Sequence, residues 1–308
     1  MKCSQVLDKF IMQKSVEGDT LATIRHYSTH IQFFINFYGD KDINNITYKT
    51  YQEYIFYLKN KEKASSGFIG KGCKLSSRTI KTYASALKTF LSWAYTNKYL
   101  YFNIAANIKM PKYSKKVITI LSINDIDCLI NHFDTTTYIG IRDLFIVSLM
   151  LDAGLRLSEV AYLHVFDFDI GKNVIKVFGK GQKERYVPLT PFILDCYKKY
   201  KKAFINYFNR YPEYDEIIFK NIDGTDITSN GISLMFRRLR HNMKNKLHPH
   251  LLRHTFATYF LLNGGDIETL KIILGHTTIY MSEQYLHLAN QLNLQNMSRF
   301  SPLSNMNK

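Results

Sequence analysis

The feature that most constrains the fold is a change in hydrophobic periodicity near residue 110. Before it, apolar residues recur at helical spacing in three segments, Thr20–Tyr38, Tyr48–Lys59 and Ser76–Tyr95. After it, helical segments share the chain with short strands, of which Val174–Phe178 and Arg185–Leu189 flank a Gly-Lys-Gly-Gln turn. Spacing of three to four residues predicts helices, and strands around a glycine turn predict a hairpin. We therefore expect two domains: an all-α N-terminal domain and a mixed, mainly α C-terminal domain with a small antiparallel β-sheet.

A lysine-rich segment separates the two patterns. Residues 109–116 read Lys-Met-Pro-Lys-Tyr-Ser-Lys-Lys and contain no acidic residue, which is typical of a solvated linker or of a segment lying along a phosphate backbone. We predict a helical domain over residues 1–110, a linker over 111–118 and a second domain over 119–308. The first helix of the N-terminal domain is expected to begin near Thr20, which leaves no space for a further domain before it.

The charge balance indicates a polyanionic partner. Lys and Arg number 41 against 25 Asp and Glu, so the formal net charge is +16. Residues 1–113 carry a net +10 and the remainder +6, so a polyanion is expected to touch both halves. Nucleic acid is the leading candidate and a membrane surface the second. A basic surface that only maintains solubility is the remaining alternative.

The cysteines and the apolar runs bear on the compartment. Cysteines stand at positions 3, 73, 128 and 196 without a C-x-x-C pair, which fits neither a zinc ribbon nor a disulfide framework. Reduced thiols favour a cytoplasmic location. The N-terminal residues lack the apolar stretch of a signal peptide, and the longest apolar run, Leu144–Leu151, is too short to span a bilayer. We therefore expect no membrane partner.

Four separated segments concentrate residues suited to phosphate chemistry. They are AGLRLSEV with Arg156 and Glu159, FGKGQKERYVPL with Lys180, HPHLLRHTFAT with His250 and Arg253, and LGHTTIYMSEQY with His276 and Tyr285. Each also has an ordinary interpretation: a solvated capping box, a lysine in an exposed turn, a structural histidine and a half-buried amphipathic helix. The three clustered histidines match no established zinc spacing, so no metal site is expected.

Taken together, these residue types suit an attack on a phosphodiester. Two guanidinium groups can hold the non-bridging oxygens and remain charged at any relevant pH. Their charge would do electrostatically what Mg²⁺ does in metal-dependent phosphoryl transfer. A tyrosine oxygen can act as the nucleophile, and a lysine can protonate the leaving alkoxide.

In this order and spacing, the four segments resemble the signature boxes of the tyrosine recombinase (phage integrase) family. The resemblance covers about residues 150–290 and includes the nine-residue spacing from His276 to Tyr285. The first 113 residues resemble the core-site DNA-binding domain of that family through TLATIRHYSTHIQFFINFY and SSRTIKTYASALKTFLSWAY. Without an arm-binding domain, the chain resembles the compact Xer-like and simple integrase subgroup.

The resemblance implies a site-specific DNA recombinase and a role for each matched residue on the phosphate side. Arg156 and Arg253 would hold the scissile phosphate, and His276 would form a hydrogen bond with it. Glu159 would orient its neighbours.

The resemblance also implies the chemical steps. Tyr285 would attack the phosphate and leave a 3′-phosphotyrosine, His250 would accept its proton, and Lys180 would protonate the 5′-oxygen. Neither ATP nor any other cofactor is expected, because the covalent bond retains the energy of the phosphodiester. Tyr280 is the alternative nucleophile, although it misses the spacing of the family.

The partners follow from the same resemblance. We expect double-stranded DNA core sites held in a two-domain clamp, a DNA-bound homotetramer or a tetramer with a paralogue, and no small-molecule substrate. Residues 286–308 would exchange between neighbouring protomers, with docking on their own domain as the alternative. The candidates for DNA contact, each of which could instead be a solvated charge, are Arg25, Arg78, Lys81, Lys183 and Arg185.

Three other functions remain open from the residues. One is a type IB topoisomerase-like enzyme that nicks and rejoins DNA without strand exchange. Another is a DNA-binding protein without catalysis, and the third is a metal hydrolase that uses the histidine cluster.

Overall fold

The computed structural model describes residues 1–62, 74–112, 118–179, 184–242 and 247–294, with the side chains of these residues except 241, 242 and 291–294. The chain folds into two compact units, Met1–Lys116 and Val117–Lys308. The predicted fold class is confirmed, since the first unit is helical and the second is mainly helical with one small antiparallel sheet. None of the described helices is both long and apolar enough to cross a membrane.

The first unit contains five helices among the described residues. They are α1 (Cys3–Val16), α2 (Leu21–Tyr38), α3 (Tyr48–Asn60), α4 (Ser77–Thr96) and α5 (Ile104–Asn107). The three predicted helices, α2, α3 and α4, each begin after a hydroxyl side chain. Thr20, Thr47 and Ser76 each accept a hydrogen bond from the backbone N–H three residues further along. The division between the two units falls within the predicted linker 111–118, whose residues 113–117 lie outside the described residues.

Helix α1 was not predicted from the sequence, and neither was the short α5. The ring of Phe10 in α1 packs edge-on against Tyr27, Phe90 and Trp93, with ring centroids 5.2–5.6 Å apart. The first helix of this unit therefore begins at Cys3 rather than near Thr20. Leu21, which the helical spacing of residues 20–38 predicts on the buried face of α2, is instead 73% exposed.

The second unit contains eight helices and three strands among the described residues. The helices are α6 (Ile123–Ile130), α7 (Tyr138–Asp152), α8 (Leu157–Ala161), α9 (Pro191–Phe208), α10 (Ser229–Asn242), α11 (Pro249–Leu262), α12 (Ile267–Leu274) and α13 (Tyr280–Leu294). The strands are β1 (Phe168–Asp169), β2 (Val174–Phe178) and β3 (Glu184–Pro188), paired antiparallel in that order.

The packing of these elements brings several distant segments of the second unit together. Helix α11 packs against α7, α12 and α13, and β3 contacts α12. In the β2–β3 ladder Val177 lies opposite Arg185 and Phe178 opposite Glu184. The start of α8, the Phe178–Glu184 end of this hairpin, the N-terminal half of α11 and the end of α12 therefore share one neighbourhood.

Candidate active site

The segment Arg156–Glu159 forms a capping box at the start of α8. The Glu159 carboxylate accepts hydrogen bonds from the Arg156 backbone N–H (2.7 Å, to Oε2) and from Arg156 Nη1 (2.7 Å, to Oε1). The ordinary interpretation expected this box to be solvated, but Glu159 is buried. A buried carboxylate requires further partners, because an unpaired buried charge is costly.

Arg185 of β3 supplies those partners. Its Nη1 and Nη2 donate to the two oxygens of Glu159 at 2.9 Å each, and its Nε donates to the carbonyl of Ile273 at 2.6 Å. Arg185 is 9% exposed. The prediction that it contacts DNA is therefore wrong, because β-strand alternation points the side chain inward beside Val187.

The charge of Glu159 follows from these contacts. Burial by itself raises the pKa of this carboxyl, but the hydrogen bonds and charge of Arg185, together with Arg156, outweigh burial and hold the pKa below its ordinary value. Glu159 is thus an anion between arginines, and Arg253 Nη1 lies 3.9 Å from its Oε2.

Arg253 lies in the first half of α11 and is 4% exposed. Its Nη1 donates to the carbonyl of Gly154 and its Nη2 to that of Leu274, both at 2.6 Å. Burial, followed by repulsion from Arg156, lowers the pKa of Arg253 to about 10, so the guanidinium remains charged at neutral pH. Two backbone carbonyls therefore fix the direction of a buried cation.

The turn after α12 brings His276 to Arg253. Gly275 ends the helix in the left-handed region (φ 61°), which favours glycine. His276 Nε2 lies 3.3 Å from Arg253 Nη2, and its Nδ1 lies 2.8 Å from Ser282 Oγ. Because arginine can only donate, Nε2 accepts and Nδ1 carries the proton. Burial and then the charges of Arg253 and Arg156 lower the pKa of His276 to about 4, so its ring is neutral.

Tyr285 of α13 is 2% exposed and lies beside this cluster. Its ring is nearly parallel to that of His276 (15° between the planes), with ring centroids 6.3 Å apart, and its hydroxyl lies 2.8 Å from His254 Nδ1. Burial raises the pKa of Tyr285, while Arg253 lowers it in part. The alternative nucleophile, Tyr280, is 69% exposed at the start of α13.

The histidines of the third segment have separate environments. His248 caps α11 by accepting the N–H of Leu251 at 3.0 Å. His250 lies at the surface, and its pKa is lowered first by desolvation and then by the charges of Arg253 and Arg156. His254, and not His250, is the hydrogen-bond partner of the tyrosine, and burial lowers its pKa to about 4.

Two residues of this neighbourhood have roles that were not predicted, although the sequence held a signal for each. His254 is four residues beyond His250 on α11, so both lie on one helix face. From the sequence, His254 stands out only as one of three clustered histidines. Arg185 shares the period-two alternation of Val187 and could have been assigned to the buried face of the hairpin.

The remaining predicted DNA contacts lie in different settings. Arg25 on α2 and Arg78 on α4 are exposed, and Lys81 on α4 is half-buried. Lys81 lines, with Lys14 and Lys88, a groove of about 620 Å³ beside α1 and α4. Lys180 and Lys183 lie outside the described residues.

Within the described ranges, no group of three or more His, Cys, Asp or Glu residues could hold a metal ion. His248, His250 and His254 are therefore distributed over three tasks, which are a helix cap, a surface position and a tyrosine contact.

Comparisons with known proteins agree with this geometry. The Phage integrase family matches residues 120–291, and the Phage integrase SAM-like domain matches residues 5–110. The chain is 28% identical over 309 residues to "Tyrosine recombinase XerC" of Oceanobacillus iheyensis, covering 98% of this chain and 97% of that protein. It is 31% identical to "Tyrosine recombinase XerC" of Chlamydia caviae over 74% of this chain and 73% of the relative.

A solved structure shows the same fold. It is that of the XerH site-specific recombinase bound to a palindromic difH substrate in a post-cleavage complex, with a TM-score of 0.72 and 22% identity. The match covers 96% of this chain and 84% of that one.

Proposed function

The chain belongs to the phage integrase family, and from this premise we propose that it is an Xer-like, tyrosine-type site-specific DNA recombinase whose nucleophile is Tyr285. It cleaves and rejoins duplex DNA through a 3′-phosphotyrosine and uses neither a metal ion nor ATP.

The observation that carries this proposal is the convergence of four predicted residues from the start of α8, from α11, from the turn after α12 and from α13. Arg156 Nη2 reaches the carbonyl of Gly275 (3.5 Å), Arg253 Nη2 reaches His276 Nε2 (3.3 Å), and the His276 ring stacks near that of Tyr285. A phosphate bound by both arginines would therefore lie close to a tyrosine oxygen. Positioning and electrostatic stabilisation of this kind dominate phosphoryl transfer.

The arginines retain donors for the phosphate. Arg253 uses three of its five N–H groups on Gly154, Leu274 and His276, and Arg156 uses two side-chain N–H groups on Glu159 and Gly275. The other N–H groups have no partner among the described residues. Two arginines against one carboxylate already paired with Arg185 leave a net positive charge for the phosphodiester.

The reaction balances without a redox partner. The Tyr285 oxygen forms a bond to the scissile phosphorus, the bond from phosphorus to the 5′-oxygen breaks, and the 3′-phosphate remains on the tyrosine. The tyrosine proton passes to a histidine, and Lys180 supplies a proton to the 5′-oxygen. Attack of a 5′-hydroxyl on the phosphotyrosine reverses these transfers and rejoins the strand.

We assign the tyrosine proton to His250 when DNA is bound. His250 is exposed and lies three residues before Arg253 on α11, so both residues share one face of the helix. His254 Nδ1 lies 2.8 Å from the Tyr285 hydroxyl. Catalytic hydrogen bonds often tighten only in the complex with substrate, so we do not take this contact to identify the proton acceptor.

Double-stranded DNA core sites are the substrate, and both units contribute cations to it. Arg25, Arg78 and Lys81 are the candidates in the first unit, with Lys183 in the second. We further propose that the chain acts in the cytoplasm as a tetramer, alone or with a paralogue, and that residues 286–308 link the protomers. In the single chain α13 packs through Tyr285 and Ala289 on its own unit, which corresponds to the docking alternative for the first part of this segment.

The experiment uses nicked suicide duplexes drawn from the DNA that flanks the gene of this protein. Wild type, Tyr285→Phe and Tyr280→Phe are incubated with each duplex in EDTA, and covalent adducts are separated on denaturing gels. We expect an adduct in wild type and Tyr280→Phe and none in Tyr285→Phe.

Each contrary outcome refutes one part of the proposed function. An adduct that persists in Tyr285→Phe but not in Tyr280→Phe would move the nucleophile to Tyr280. Relaxation of supercoiled DNA by a monomer without strand exchange would favour a topoisomerase-like enzyme. Tight binding with no adduct from any flanking sequence would favour a DNA-binding protein without catalysis.

A further inference from the structure

Arg185 has a set of contacts that neither DNA binding nor simple burial explains. Three of its N–H groups are used, two on the Glu159 carboxylate and one on the Ile273 carbonyl. Glu159 also binds Arg156, and Ile273 is in the last turn of α12, which leads to His276. One side chain of the hairpin therefore contacts two of the segments that form the phosphate site.

The end of α12 is held by three arginines in sequence. Arg185 donates to the carbonyl of Ile273, Arg253 to that of Leu274 and Arg156 to that of Gly275. The last carbonyls of a helix lack intrahelical partners and carry partial negative charge, so cations are favourable there.

Of these three contacts, that of Arg156 is the longest, at 3.5 Å, against 2.6 Å for each of the other two. Its side chain is also the most exposed of the three, at 28% against 8% for Arg185 and 5% for Arg253. Arg156 is therefore the arginine most able to turn to a phosphate, whereas the protein holds Arg185 and Arg253 more tightly, and of these two only Arg185 binds both oxygens of Glu159.

Charge gives Arg185 a second task. Glu159 is an anion close to both predicted phosphate-binding arginines. Because Arg185 binds both of its oxygens, Glu159 is neutralised by a residue that does not face the substrate. Without Arg185, the attraction of Glu159 would fall on Arg156 and Arg253 and compete with the phosphate.

We propose that Arg185 is a positioning residue of the recombinase. It neutralises Glu159 so that Arg156 and Arg253 remain available to the scissile phosphate, and it fixes the end of α12 that carries His276. This inference rests on the proposed function, since it requires that these arginines bind a phosphate.

The crowding at Gly275 supports the close fit of this side chain. A Cβ placed on Gly275 would lie 3.1 Å from Arg185 Nη1 and 3.2 Å from its Cδ. The turn before His276 and the arginine therefore pack directly on each other.

The test compares Arg185→Met, Arg185→Lys, Glu159→Gln and the double variant Arg185→Met/Glu159→Gln. Lys176→Met is the matched control, because Lys176 of the same hairpin forms an ion pair with Glu184 outside the site. Two quantities are measured: the Kd of the suicide duplex, and the rate of adduct formation at saturating duplex.

We expect Arg185→Met to lower the saturated rate by about 10- to 100-fold, with little change in Kd. Loss of a residue that orients the groups of a site by hydrogen bonds commonly has an effect of this size. Arg185→Lys should recover little of the lost rate, because an ammonium group lacks the planar fork with which a guanidinium binds both carboxylate oxygens. The double variant should react faster than Arg185→Met, because removing the charge of Glu159 releases Arg156. Lys176→Met should match wild type.

The decisive comparison is between the double variant and Arg185→Met. If adding Glu159→Gln makes the enzyme slower still, Glu159 supports the site instead of competing with the phosphate, and that result would overturn the proposal. A weaker Kd with an unchanged saturated rate would return Arg185 to the DNA contacts. If Arg185→Met does not fold, Arg185→Lys and the double variant, which leaves no unpaired buried charge, provide the same comparison.

The wild-type reaction separates this inference from the proposed function. If wild type forms no adduct, the proposed function fails and the inference fails with it. If wild type reacts and the double variant is no faster than Arg185→Met, only the inference fails.

Discussion

Replacement of Gly154 by alanine tests whether the backbone that supports Arg253 has the tight geometry described above. Gly154 has φ 65°, and a Cβ on it would lie 2.5 Å from Cδ1 of Phe256 and 2.9 Å from Cδ2 of Leu274. A left-handed non-glycine residue costs about 1–2 kcal/mol. Overpacking a filled core costs about 1–3 kcal/mol more. We therefore expect Gly154→Ala to lower the free energy of unfolding by about 2–5 kcal/mol.

Gly264 provides the matched control. It also has a positive φ, 92°, but no atom lies within 4 Å of a Cβ built on it. Gly264→Ala should therefore show only the backbone cost, about 1–2 kcal/mol. The difference between the two variants isolates the packing against Phe256 and Leu274.

The assay is urea unfolding followed by far-UV circular dichroism and by tryptophan fluorescence. The chain has one tryptophan, Trp93, which lies in the first unit. Its fluorescence therefore reports the unit that neither substitution touches, and it should be unchanged. Below the unfolding transition, Gly154→Ala should also form adduct more slowly than Gly264→Ala, because the Gly154 carbonyl holds Arg253. Equal stability of the two variants would refute the packing argument.

Three further predictions concern the histidines and the DNA contacts. The pKa of His276 is lowered to about 4 from an ordinary 6.5, so the unfolded chain binds a proton at a higher pH than the folded protein, and stability should fall as the pH drops from 6.5 toward 4. The difference between the denaturant midpoints at pH 7 and pH 5 should therefore be smaller in His276→Gln than in wild type. An equal difference in the two proteins would contradict this. His250→Gln should lower the saturated rate of adduct formation by about 10²- to 10⁴-fold and His254→Gln by far less, and the reverse order would make His254 the proton acceptor. Arg25→Gln and Arg78→Gln should each reduce the slope of log K against log salt by about 0.9 if the side chain meets one phosphate, and an unchanged slope would remove that residue from the interface.

Local signals in the sequence were sufficient for much of the fold. Thr20 and Ser76 cap the helices that they were predicted to begin, and a glycine, Gly275, ends α12. Such signals depend on a few neighbouring residues, so they remain readable without tertiary information. The hairpin was predicted for the same reason, because alternation and a glycine turn are local.

The missed elements had helical signals of their own. Helix α9 begins after Thr190 with Pro191 at its first turn and buries Ile193, Cys196 and Tyr200 at helical spacing. The failure at Leu21 has a tertiary cause. Whether an apolar residue at the first turn of α2 is buried depends on where the other helices of the unit pack. The hydrophobic periodicity of one helix does not contain that information.

The candidate site divides in the same way. The order and spacing of the boxes selected Arg156, Arg253, His276 and Tyr285, and the structure brings these four together. The partners of each could not be inferred from spacing, because they come from elements distant in the chain. Arg185 and Glu159 are 26 residues apart, and Arg156 and Gly275 are 119 apart.

The predicted site is organised so that its cations are restrained before DNA arrives. The carbonyl oxygens of Gly154 and Leu274 fix the direction of Arg253, and those of Ile273 and Gly275 accept from Arg185 and Arg156. Backbone acceptors at a helix end cannot be neutralised by protonation and barely move, so they hold a guanidinium at little cost in reorganisation when charge develops on the phosphate. A carboxylate in their place would bind the arginines more tightly and compete with the substrate. The carboxylate among the described residues of this cluster, Glu159, is paired on both oxygens by Arg185, which is not among the predicted phosphate ligands. If the proposed function holds, charge at this site is therefore distributed so that Arg185 takes up the attraction of Glu159, and the attraction for the phosphate falls on Arg156 and Arg253.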